Sequence, residues 1–246
     1  MAARLTAPGA GWLLSTVLST MAGAVDVIGF LALGGLFTAH ITGNLAVVAA
    51  HYITGGFGEI GPLLAVPVFV AVLGVVTLAS VAVEKAGYGC RRGLLVLQAG
   101  LLAGCLGLGV GFGPFADVDR PMAVLVGMLA VAAMATQNAL VKVALPGAPT
   151  TAVMTTNTTQ LTVDLATLAW GWGDSKDLAK ARHRATVTWP CVVGFMAGCA
   201  AGAVLEVHFG LWALALPVLL AVLAVTLGEL WSDSPVIHPN SKRREV

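Results

Sequence analysis

The chain has 246 residues, 58% of them hydrophobic and 10% charged, with thirteen Lys and Arg against twelve Asp and Glu for a net charge of +1. Soluble domains carry about a quarter of their residues as charges, so this chain cannot cover a water-facing surface and does not read as a soluble enzyme. The balanced charge gives no basis for a nucleic-acid partner, and what matters is where the charges lie. Residues 60–83, 93–116 and 185–205 contain no Lys, Arg, Asp or Glu, and each stretch is long enough to cross a bilayer, which takes about 20 residues of helix. The runs are unbroken, without two-residue alternation, which selects helices over a barrel.

In chain order the first apolar block is 12–37, preceded by the single basic residue Arg4 and too long for a cleaved signal, so it reads as a retained first span. Asp26 lies about fourteen residues into it, near the bilayer centre at about 1.5 Å per residue. A carboxylate at that depth is costly and marks a functional site by default. It could carry a proton or oppose a cationic solute, and the structural alternative is an Asp that locks the helix to its neighbour. The second block, 39–53, is short. Blocks 62–83, 93–112 and 121–143 follow, the last containing Gln137-Asn138. The sixth, 150–172, is rich in Thr, Asn and Gln, and blocks 185–205 and 209–231 complete the series. The run 174–184 reads as a mixed-charge cytoplasmic loop, and 232–246 as a polar tail.

The two unusual blocks match each other. Thr38-Ala39-His40-Ile41-Thr42-Gly43-Asn44 aligns with Thr151-Ala152-Val153-Met154-Thr155-Thr156-Asn157, and each follows a helix with a polar group inside it. Asp26 superposes on Asn138 with one inserted residue. The chain therefore divides into a first repeat at about 1–116, a second at about 117–231 and the tail 232–246, all within one transmembrane domain. If the two Thr/Asn blocks do not cross fully, each repeat has three spans, the N- and C-termini lie in the cytoplasm, and the basic residues except Arg120 fall on that side. An odd number of spans per repeat makes the copies inverted, as in many transporters. The predicted fold is thus an all-α polytopic membrane protein of six transmembrane helices, in two inverted three-helix repeats, with two short broken or re-entrant segments.

Asp26 in its Gly-x-x-Asp helix, Phe37 followed by His40-Ile41-Thr42-Gly43-Asn44, and Gln137-Asn138-Ala139 ahead of Thr151 to Asn157 together resemble the YoaK family of uncharacterised bacterial membrane proteins (domain of unknown function 1275). The resemblance covers nearly the whole chain and implies six membrane segments in a bacterial inner membrane, with no substrate. The sequence departs from the family pattern at Thr156, where Gly is common.

The candidate binding residues follow from the repeats. Gly43 after Thr42 would let the backbone break from helix, with Thr42 and Asn44 supplementing its exposed groups. Thr155 and Asn157 are their partners in the second copy, and Gln137 and Asn138 join them. Asn157, Gln160 and Asp164 share one helix face, and Asn44 and His51 another. His51 aligns with Asp164, so Asp26, Asp164 and His51 are the proton-coupling candidates. His40, matched by Val153, reads as an interfacial residue. Cys90, Cys105, Cys191 and Cys199 show no metal or disulfide spacing and read as small packing residues. Gly194, Gly198 and Gly202 form a small-residue stripe, as do Gly100 with Gly104 and Gly107 with Gly111, which suits close helix packing. No phosphate loop, dinucleotide fingerprint, nucleophile elbow or zinc motif is present. The reading is a transporter or permease for a small polar or ionic solute, embedded in the lipid bilayer, with no cofactor and a homodimer as its expected assembly. The alternatives are a scaffold or partner subunit that does not transport, and a membrane-embedded enzyme.

Overall fold

The computed structural model describes residues 7–54 and 59–230. Among these residues eight helices run in the order α1 (Ala7–Ala32), α2 (Ile41–Ile53), α3 (Ile60–Lys85), α4 (Arg91–Phe112), α5 (Pro121–Ala144), α6 (Met154–Trp170), α7 (Ser175–Phe209) and α8 (Ala215–Leu230). A 3-10 turn, Gly210–Leu214, separates the last two, and no strand occurs among the described residues. Five stretches of the described residues are long and apolar enough to cross a membrane: Gly11–Ala32, α3, α4, α5 and the 55-residue run Ser175–Glu229 that the turn interrupts. The protein is a helical membrane protein. The proposed tail and Trp231 lie outside the described residues.

Seventy-two per cent of the apolar window is buried inside the protein in α1 and in α5, against 11% in α3. These two helices therefore form the centre, and α3 presents its sides outward. Ser15, Thr16 and Thr20 in α1 return their hydroxyls to the carbonyls of Gly11, Trp12 and Thr16, which satisfies them where no water is available.

The direction of each helix follows from its contacts. Gly194 faces Thr16 and Thr20, Gly198 faces Thr20 and Ala24, and Gly202 faces Ala24, so α1 and α7 run parallel. A Cβ on Gly198 or on Gly23 would collide with backbone of the opposite helix, and this stripe is therefore a close approach within the fold. The stripe on α4 behaves otherwise: Gly100, Gly107 and Gly111 have nothing within 4 Å of a built Cβ. Gln98 meets Gln137 and Cys105 meets Val126, so α4 and α5 are antiparallel. Arg92 pairs with Glu229 at 3.2 Å while Gly109 lies against Leu214, so α4 and α8 are antiparallel as well. Gln137 reaches Leu18 and Gly127 lies by Leu33 and Leu36, which sets α5 against α1. At the end where α1 stops, Ile60 N–H donates to Asp119 Oδ1 at 2.7 Å, so α3 and α5 start together.

Two segments double back. Gly34 and Gly35 stop α1 with φ of 64° and 74°, a left-handed pair that other residues adopt at a cost. A Cβ on Gly34 would also stand 2.8 Å from Glu59 and Val118. Residues 36–40 then retrace α1 to the level of Asp26, six residues before its end. There α2 begins, returning to the end where α3 starts. Likewise Gly147 (φ 82°) follows α5, and the chain retraces to the level of Gln137 before α6 runs back to the start of α7.

The packing pairs are α1 with α7 and α8, α5 with α3 and α4, α2 with α3, α6 with α7, α4 with α8 and α1 with α5. Exchanging α1 with α5, α2 with α6, α3 with α7 and α4 with α8 leaves these pairs unchanged.

One segment departs from the sequence reading. Residues 174–184 form the cap and first turns of the 35-residue α7, not a loop. Asp174 accepts from the N–H groups of Lys176 and Asp177 at 2.8 Å, and Asp177 accepts in return from Asp174 N–H. This reciprocal cap satisfies donors that start any helix, and it carries α7 past the apolar run 185–205.

Candidate functional site: the two helix breaks

Asp26 holds the first break. It is 4% exposed, and its Oδ1 accepts from the backbone N–H groups of Thr38, Ala39 and His40 at 2.8, 2.7 and 3.2 Å. These are the donors presented by the entry to α2, where a carboxylate complements the positive end of the helix. Its Oδ2 lies 3.6 Å from His40 Nδ1.

Asn44 closes the same segment from the helix side. Its Oδ1 accepts from Phe37 N–H at 2.9 Å, and its Nδ2 donates to the carbonyls of Phe37 and Ile41 at 2.7 and 3.2 Å. Asn157 does the same in the second copy: Nδ2 donates to Thr150 O at 2.6 Å and Oδ1 accepts from Thr150 Oγ1 at 2.9 Å. Each asparagine binds the residue seven before it. Both are buried and fully used.

Gly43 does a different job from the one its motif suggests. It sits inside the first turn of α2 with ordinary helical backbone, and Gly34 and Gly35 make the turn instead. A Cβ on Gly43 would lie 3.0 Å from the Phe37 ring, so this glycine makes room for an aromatic. The second copy has Thr150 in place of Phe37 and Thr156 in place of Gly43, where a smaller neighbour leaves space. Thr42, Thr155 and Thr156 point outward and are exposed.

The second break is held by neutral groups. Gln137 is fully buried; its Nε2 donates to Leu18 O at 3.0 Å and to Thr151 Oγ1 at 2.7 Å, and its Oε1 accepts from Gln98 Nε2 at 2.7 Å. This knot joins α1, α4, α5 and the chain entering α6. Asn138, the residue that aligns with Asp26, is half-buried and donates to Met134 O in its own helix. The group that does the work of Asp26 is thus Gln137, because a longer side chain reaches across one helical position.

Asp164 and Gln160 belong to another arrangement. Arg184 of α7 binds both Asp164 oxygens, with Nη2 2.6 Å and Nε 3.2 Å away, and Gln160 Nε2 donates to Asp164 at 3.0 Å. This charge is neutralised inside the α6–α7 hairpin. His51 is in the last turn of α2, at the opposite end of the molecule, so the suggested pairing of His51 with Asp164 is replaced by Arg184. The sequence reading did not assign Gln98, Thr151 or Arg184 to a site, and it took His40, which faces Asp26, as an interfacial residue. A lone amide in the charge-free run 93–116 was the available signal for Gln98, whereas Arg184 could not be assigned a partner before α7 was known to be helical there.

Long apolar helices packed closely through glycine, two of them followed by breaks held by polar side chains, define a polytopic helical membrane protein. The profile of a family described as "Protein of unknown function (DUF1275)" matches residues 14–227, and the chain belongs to that family. The match carries the description of unknown function and not the label YoaK. No characterised protein and no solved structure matches the chain at a significant level.

Proposed function

We propose that the chain is an inner-membrane transporter or permease for a small polar or ionic solute, built of two inverted repeats of three spans with α2 and α6 as re-entrant segments. The observation that carries this reading is the pair of helix breaks, each retracing a central helix and held there by side-chain hydrogen bonds. Broken helices at depth are tolerated where they line a path or are buried in protein, and paired breaks in inverted repeats recur in carriers. The exchange of packing pairs between α1–α4 and α5–α8 supports the repeat, and the helix directions support its inversion. Lys85, Arg91, Arg92, Lys142, Lys176, Lys180, Arg182 and Arg184 gather at the end where α1 begins, and Arg120 lies at the other, which favours a cytoplasmic N-terminus. Rocking of one repeat against the other would release one break while the other stays closed.

A small outward seam supports a homodimer. Gly93, Gly100 and Gly107 recur every seven residues on exposed positions of α4, with no atom of the described residues against their Cβ positions. A scaffold is the second reading, favoured because Asp26, Asn44, Gln137 and Asn157 all bind within the chain. Neither reading assigns a catalytic step.

The test is a thermal-shift screen of purified protein against ionic and small polar solutes, since a ligand of the folded state raises stability by mass action, followed by flux in proteoliposomes with and without a proton gradient. A stabilising solute that also crosses supports transport. No shift and no flux across the panel leaves the scaffold.

A further inference from the structure

We propose that His40 and Asp26 form a proton-operated latch on the first helix break, with His40 as the group that takes up the proton. This deepens the reading of the breaks as moving parts and rests on it for its bearing on transport.

Access selects the histidine. The Asp26 side chain is 6% exposed and its Oδ1 is occupied by three backbone donors, whereas the His40 side chain is 40% exposed with Nδ1 directed at the remaining oxygen, Oδ2. Of the two side chains, the imidazole is the accessible one. Protonated, His40 adds an ion pair to the bonds that hold 38–40 against α1. Neutral, it keeps at most a weak dipolar contact at 3.6 Å. The latch therefore tightens at low pH and loosens as pH rises through the imidazole titration.

The surroundings leave this pair to itself. From α7, Cys199 packs against α1 at Gly23, one turn before Asp26. The ring neighbours of His40 are Phe37 from the same break and Phe195 from α7, each with its centroid 6.3 Å away. No other charged group is seen facing His40 among the described residues. The element that moves is short: α2 has 13 residues and, among the described helices, packs chiefly on α3.

The second break lacks such a pair. Val153 stands where His40 does, and Gln137, Thr151, Thr150 and Asn157 hold that segment through neutral groups. A proton can therefore act on one break and not on its counterpart. In the proposed orientation the responsive one faces away from the cytoplasm. This asymmetry would let a proton bias one half of a carrier against the other.

Hydrogen exchange by mass spectrometry tests the latch on the full chain in lipid nanodiscs between pH 5 and pH 8.5, with rates corrected for intrinsic chemistry. Amides of 36–46 should exchange about two- to fivefold faster at the upper pH, the range of a half-exposed ion pair, while those of 149–159 stay flat. His40→Gln should remove the pH dependence, and His40→Lys should keep 36–46 protected throughout. A flat wild-type profile, or the same slope in His40→Gln, overturns the latch. A latch that titrates in a protein showing no flux with any solute overturns transport and leaves the latch standing.

Discussion

Asp26→Ala would leave three backbone N–H groups without an acceptor in a buried place. Each unsatisfied donor costs about 1–3 kcal/mol, and since the three share one oxygen the expected loss is on the order of 3 kcal/mol. Asp26→Asn retains an acceptor oxygen and should lose less than half of that; denaturant unfolding of the purified protein measures both. The Phe37–Gly43 contact offers a sharper check. Gly43→Thr places a side chain against the Phe37 ring and should destabilise by about 1–3 kcal/mol. Adding Phe37→Thr imports the pair Thr150 and Thr156 and should recover at least half of the loss in a double-mutant cycle. Without that coupling, the ring is not the reason for the glycine. Asp26 was legible as important because a carboxylate stands out in an apolar run. Its partners were not, since they are backbone N–H groups that become neighbours only when the chain retraces itself.

At the scale of elements, two glycine stripes that look alike in sequence have opposite surroundings. Gly198→Leu would drive α7 off the Thr20 backbone and should prevent folding, read as loss of monodisperse protein. Gly100→Leu meets nothing in its own chain. It should leave unfolding unchanged while lowering the dimer fraction seen by mass photometry in nanodiscs, and an unaffected dimer removes α4 from the interface. Helix existence was readable from apolar runs, and α3, α4 and α5 lie within two residues of the expected bounds. The start of α7 was not, because charged residues in 174–184 resemble a loop until the Asp174 cap is recognised as the beginning of a helix that outruns its apolar part.

For the whole molecule, the proposed six-span arrangement fixes which connections share a side. Cysteine placed at Gly89 and at Asp117 should react with an impermeant maleimide from opposite sides of the membrane, inside and outside respectively. Native Cys90 interferes little, since its buried thiol is pushed up to about 11 by burial and then by Glu84 and stays protonated at neutral pH. Labelling of both positions from one side would break the inverted topology. The sequence by itself determined that this is a helical membrane protein with two matched Thr/Asn segments, because composition and internal similarity need no knowledge of contacts. Only the tertiary structure decided that Gln137 rather than Asn138 holds the second break, that Arg184 neutralises Asp164, and that Asp26 faces His40. These pairings depend on the depth to which each segment folds back and on side-chain reach across a helical position, and neither quantity is written in local residue order.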